Sequence, residues 1–359
     1  MLPRQCRLWS ELGPTEGLSE KLLPMTKTDK GRKALKPLIR GGVPMALRPR
    51  VWMALAGASA KRNAFGDAGY YTGLLAEVAR GEEASLKARA AARASGSSSL
   101  ASEDTLLATL EQIDKDLMRT FPKHKYISTE AGQAALRRLL RAYCAGRNPH
   151  TGYCQGMNFV AATMLTVLAE EEEAFWLLVL TMERLLPADY YTDGLLGVRI
   201  DSEVLADLIR QRLPALHAHL SGTGVLPMLP LITTQWFIAL FVFWLPTESL
   251  LRLWDCFFFD ALKSKTKTFF RAALTLFKLH EAEIKQLHDV QSLMESMREM
   301  TRGCFDADRF VRESPVRYGA RGVPIHQICC IALYRYIKPV MYRIHSPHHH
   351  VCEFDTSKT

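Results

Sequence analysis

The sequence predicts an all-α protein built as one large multi-helix domain. Three observations carry that expectation. Apolar residues recur at helical spacing in segment after segment. No run alternates apolar and polar residues as a half-buried strand does, no Asn-Gly hairpin occurs, and no block repeats at a fixed period. The chain has 359 residues, 48% of them hydrophobic, enough for a sizeable core in one large unit.

Charge is mixed in sign, with 46 Lys+Arg against 37 Asp+Glu, a formal balance of +9. That surplus allows contact with an acidic partner or an anionic membrane face and requires neither. No pattern points to nucleic acid. The eight cysteines form no C-x-x-C pair, so neither a disulfide framework nor a zinc site is expected. Charges run through residues 1–25 with no apolar signal-peptide core. A reducing, cytoplasmic setting follows as an expectation. The most apolar run, residues 231–245, is shorter than the ~20 residues that span a bilayer. Pro230 and Pro246 bracket it, and it reads as a buried core helix.

In chain order, residues 1–37 read as a leader without a sustained period, and the main domain as 38–310. Lys27, Lys30, Arg32, Lys33, Lys36 and Arg40 make a basic, solvated stretch. After the turn at Gly41-Gly42-Val43-Pro44, a short helix starts at Arg48 with Pro49 in its first turn. Arg48 and Trp52 share a face of it and read as structural. Residues 82–103, rich in Ala, Ser, Lys and Arg, read as a partly helical, mobile insertion.

A helix over 105–120 follows, with an apolar stripe of Leu106, Leu110, Ile113 and Leu117. At about 100° per residue, Ile113 points inward, Asp116 sits on the shoulder and Arg119 points outward in the last turn. Pro122 is expected to hold Phe121 extended and to stop the helix near Thr120. Ser128 or Thr129 can cap the next helix, which Asn148-Pro149 breaks. Then come a Gly152–Gly156 loop and a helix over 157–168. If the loop is extended, Tyr153 and Gln155 point to one side. Further helices are expected over 201–213, 233–245, 247–255, 268–284 and 291–300. Residues 311–345 read as a C-terminal helical extension, and 346–359, with His348, His349 and His350, as a flexible tail.

Several enzyme classes lack their residues. There is no G-x-x-x-x-G-K-[ST] phosphate loop, no G-x-G-x-x-G, no H-E-x-x-H and no G-x-S-x-G elbow. The chain is not expected to hydrolyse a nucleotide alone. Yet Arg119 at a helix end and Gln155 in a glycine-bracketed loop are two residue types that phosphoryl transfer needs. A guanidinium neutralises the transferring phosphate, and an amide orients the attacking water. Alone, an Asp-x-x-Arg is an ordinary surface ion pair, and a loop Gln is an ordinary loop residue.

Together the motifs resemble a known signature. The I-x-x-D-x-x-R of Ile113, Asp116 and Arg119, followed by the Y-x-Q of Tyr153 and Gln155, is similar to that of TBC-domain GTPase-activating proteins for Rab GTPases. Arg48 and Trp52 match the family's R-x-x-x-W. Leu186-Pro187 with Tyr190-Tyr191, the Gln235-Trp236-Phe237 segment, and residues 250–255 ending in Trp254-Asp255 also resemble it. The likeness covers roughly residues 38–290 and is nearest to the growth hormone-regulated type.

The resemblance implies an all-helical TBC domain of two helical subdomains. It implies Arg119 as an arginine finger and Gln155 as a glutamine finger. Asp116, Tyr153 and Asn158 would support them, and Arg48, Trp52, Ile113, Trp254 and Asp255 would be scaffold. The partner would be a GTP-bound Rab GTPase that carries its own GTP and Mg²⁺, so the chain would need no cofactor or metal. The setting would be cytoplasmic, with peripheral contact at endomembranes. The alternative is a TBC-fold module that binds a GTPase without catalysis. Intact fingers count against it.

Overall fold

A computed structural model of the chain describes residues 3–13, 17–58, 62, 69–95, 105–168, 170–187 and 190–313. Among them every regular element is helical and no strand occurs. The C-terminal tail, most of the C-terminal extension and the end of the expected insertion lie outside the described residues.

The helices form two groups around one continuous core. The first contains the helices Tyr70–Ala94, Thr105–Leu117, Glu130–Arg141, Met157–Val167 and Glu171–Leu180, each packed on neighbours in the group. The second contains Leu196–Arg212, Pro214–Gly222, Leu229–Ile238, Thr247–Ser264 and Lys267–Leu279. The helix Arg48–Ala56 touches both groups, through Glu171–Leu180 and Thr247–Ser264. A helix placed between two layers must be apolar nearly all round. Seven of its nine residues are buried, including Val51, Trp52, Met53 and Leu55.

Arg48 is the polar exception in that helix. Its side chain is 2% exposed, and the guanidinium lies 3.3 Å from Asp255 and 3.0 Å from Glu248. Trp52 Nε1 donates to Asp255 at 2.7 Å, and the Val43 amide donates to it at 3.4 Å. A buried carboxylate needs such partners. Burial still pushes the Asp255 carboxyl up to about 6, against the pull of Arg48 and these donors. Trp254, beside it, packs tilted against Trp52 at 5.8 Å between ring centroids and donates to the Leu240 carbonyl at 3.0 Å.

Several boundaries differ from the sequence reading. Residues 1–37 are not a patternless leader where described. The helices Pro3–Ser10, Leu18–Lys27 and Asp29–Gly41 bury Trp9, Leu18, Leu22, Leu35 and Ile39, and Trp9 Nε1 donates to the Gly42 carbonyl at 2.8 Å. The last of these helices runs straight across residue 38, so no break in the structure falls there. Each is too short to show more than one or two buried positions, and no long period could emerge. The region expected as an insertion is helical through Ala94. The apolar run over 231–245 is helical only to Ile238. A tight turn follows, in which Leu240, Phe241 and Phe243 take left-handed backbone angles.

Candidate functional site

The site rests on two segments that the fold brings together. The first is the end of the helix Thr105–Leu117. Leu107, Leu110, Ile113 and Leu117 are its buried stripe, so the first apolar position is Leu107 and not Leu106. The helix stops at Leu117, earlier than the proline alone requires, and the Thr120 amide closes a turn on the Leu117 carbonyl at 3.0 Å. Arg119 therefore sits just past the helix, in that turn. Its side chain is 51% exposed.

Asp116 is fully buried rather than on a shoulder. Its Oδ1 lies 2.5 Å from the Arg119 guanidinium and accepts from Gln112 at 3.3 Å. Its Oδ2 accepts from the Tyr153 hydroxyl at 2.7 Å. Burial and that bond push the Tyr153 phenol well above its ordinary value, so it stays a donor. One carboxylate thus holds the arginine turn and the Gln155 loop at once.

A second tie runs beneath the first. Asn158, buried in the first turn of the helix Met157–Val167, donates through Nδ2 to the Thr120 hydroxyl at 2.7 Å. The Thr120 hydroxyl donates in turn to the Asp116 main-chain carbonyl at 2.7 Å. Asn158 Oδ1 accepts from the Gly156 amide at 3.0 Å, closing the loop that carries Gln155. Gly156 has φ 116°, and a Cβ there would sit 2.3 Å from Ile238 Cγ2. Both constraints select glycine. Gln155 is exposed above this scaffold.

An aromatic cluster supports both segments. Phe121 follows the Arg119 turn, Phe159 follows the Gln155 loop, and Phe243 comes from the turn over 239–245. Phe243 lies 4.0 Å from Phe159 and 5.6 Å from Phe121, centroid to centroid. Phe121 has φ 47°, not the extended backbone expected before Pro122, and Phe243 has φ 75°. Left-handed backbone costs a bulky residue ~1–3 kcal/mol and persists where surrounding contacts over-determine it.

Residues 45–285 match the Rab-GTPase-TBC domain family. The chain belongs to that family. As a TBC protein it is 37% identical over 277 residues to growth hormone-regulated TBC protein 1-A of Danio rerio, covering 76% of this chain and 68% of that protein. It is 36% identical over 307 residues to growth hormone-regulated TBC protein 1 of Homo sapiens, covering 85% and 77%. Among solved structures, the Chlamydomonas flagellar RabGAP TBC domain is similar with a TM-score of 0.67 and 28% identity, covering 88% of this chain and 92% of that one. The Ypt/Rab-GAP domain of Gyp1p shares the fold with a TM-score of 0.57 at 18% identity, covering 84% and 98%. Family membership makes Rab GTPases the partner class of this TBC domain.

The structure thus places Arg119 and Gln155 at the surface and joins Asp116, Tyr153 and Asn158 below them. Ile113 is buried in the same helix as Asp116. Arg48, Trp52, Trp254 and Asp255 form a separate buried network. The sequence reading missed Thr120, whose two bonds no spacing rule announces, and the Phe121–Phe159–Phe243 cluster. The Gly-bracketed loop was visible, but the close approach of Ile238 to Gly156 was not. Among the described residues no group of three His, Cys, Asp or Glu side chains is arranged to hold a metal.

Proposed function

We propose that this TBC domain accelerates GTP hydrolysis by a GTP-bound Rab GTPase, to which it supplies Arg119 and Gln155 in trans. The observation that carries this reading is a contrast in exposure. Arg119 and Gln155 are the exposed members of a constellation whose other polar groups are buried or hydrogen-bonded beneath them. A scaffold with no chemical task has no need to hold a guanidinium and an amide this way. In the free protein Arg119 rests on Asp116, and Tyr153 fixes that carboxylate. On docking, the planar guanidinium bonds phosphate oxygens as charge develops on them, while the Gln155 amide orients the attacking water. An arginine supplied in this way is worth ~10³–10⁵ in rate, about 4–7 kcal/mol of barrier.

The partner brings GTP and Mg²⁺, and the TBC domain brings no cofactor. It works on GTPases presented at endomembranes and reaches them from the cytoplasm. No described helix is long and apolar enough to cross a membrane. The test is phosphate release from a panel of GTP-loaded Rab GTPases. Wild type is expected to accelerate at least one. Arg119→Ala, Arg119→Lys and Gln155→Ala are expected to lose the stimulation while melting as wild type does. Arg119→Ala that stimulates as well as wild type would sink the mechanism.

A further inference from the structure

Beside Gln155 lies an open cavity of about 760 Å³. Cys154, Gln155, Gly156 and Phe159 form one wall. The helix Leu229–Ile238 and the turn after it also line the cavity, with Leu231 57% and Phe243 49% exposed. The far wall is the helix Val290–Arg302, which presents Met294, Arg298 and Arg302. These three are four residues apart in turn and so form one stripe.

Arg298 and Arg302 are exposed, and neither side chain makes an ion pair or hydrogen bond among the described residues. Other arginines near the first helix group are paired, such as Arg137 and Arg141 with Asp114 and Arg138 with Glu171. Two like charges four apart on a helix repel, so the fold gains nothing from them. Both line the cavity that Gln155 borders.

We infer that this cavity is a specificity subsite for the partner GTPase. It takes a surface segment of the GTPase in which a carboxylate stands next to a large apolar side chain. The apolar group seats on Leu231 and Phe243, and the carboxylate lies between Arg298 and Arg302. Charge complementarity selects the carboxylate, because the planar donor fork of a guanidinium matches its two oxygens. A small free anion fits less well, since it would leave two large apolar side chains in water. Continuity with Gln155 selects the GTPase itself, whose nucleotide must reach that residue. The inference rests on the proposed function and adds to it where partner choice is made.

Single-turnover phosphate release tests it, with the TBC protein titrated against each GTP-loaded Rab that wild type accelerates. Arg298→Glu/Arg302→Glu is expected to raise the half-saturating concentration about ten-fold or more and leave the rate at saturation unchanged. Its salt dependence is expected to be shallower than that of wild type. Leu231→Ser is expected to raise the half-saturating concentration without changing the salt dependence. All three positions are exposed, and matching thermal melts establish that the fold is kept. An unchanged half-saturating concentration in the charge-reversed variant overturns the subsite and leaves the finger mechanism standing. So does a fall in the saturating rate alone. A wild-type protein that accelerates no Rab overturns both.

Discussion

Asn158 Nδ2 donates to the Thr120 hydroxyl at 2.7 Å, and that bond joins two stretches of chain 38 residues apart. Thr120 is the residue after Arg119, and Asn158 is three residues after Gln155. Any shift in this bond changes the spacing between the two exposed side chains above it.

Thr120→Val keeps the shape and removes the hydroxyl. It leaves the buried Asn158 amide without its acceptor, which costs ~1–3 kcal/mol. A urea melt is expected to show that loss. GTPase stimulation is expected to fall at saturating TBC protein, because the defect lies in positioning. Thr120→Ser keeps both bonds and is expected to restore both readouts. A stimulated rate equal to wild type in Thr120→Val would detach this bond from catalysis.

Removing Arg48 strands a buried carboxylate. Asp255 keeps Trp52 and the Val43 amide as donors but loses its cation. Breaking one side of a buried pair costs ~3–5 kcal/mol. Arg48→Met is expected to lower stability by that order in denaturant titration. Adding Asp255→Asn removes the stranded charge and is expected to recover part of the loss. A double variant less stable than Arg48→Met would show that the charge is not the source of the cost.

Asp201 gives the fold a pH dependence. Burial raises its carboxyl to about 7, and the nearby Thr266 and Tyr190 hydroxyls lower it less than burial raises it. An unfolded chain has this carboxyl near ~3.9. Between those values the folded state holds the proton and the unfolded state does not. This group's contribution is therefore full below about pH 4 and is lost as pH rises through about 7. Asp201→Asn removes the titration. Relative to it, wild type is expected to lose about 2–3 kcal/mol between pH 5 and pH 8, read from urea melts. A constant difference across that range would show that Asp201 is ionised in the fold.

The helical fold was legible because periodicity survives in long amphipathic segments such as the one holding Leu110, Ile113 and Leu117. It failed where no long period exists. Trp9, Leu18 and Leu22 are buried from helices of eight and ten residues, too short to stand out. It failed again after Ile238, because a continuous apolar run looks the same in a helix and in a packed turn. There Trp254 Nε1 bonds the Leu240 carbonyl, a long-range contact that local propensity does not contain. Phe121 is a related case. Pro122 favours extended backbone before it, and packing on Phe159 and Phe243 holds it left-handed instead. At the site, residue types and spacing marked Arg119 and Gln155, but Thr120 carries no mark, since a threonine hydroxyl bonds almost anything.

Arg48 and Asp255 are 207 residues apart in the chain. At synthesis speeds of ~5–20 residues per second, the arginine leaves the ribosome on the order of 10–40 s before its carboxylate. Glu248, its second partner, emerges only slightly earlier. For that interval the helix between the two layers has neither its ions matched nor the helix Thr247–Ser264 to pack on. The nascent first half must wait with Val51, Trp52 and Leu55 uncovered on one side, in the state that chaperones bind. The residues that close this fold last are therefore among its most deeply buried.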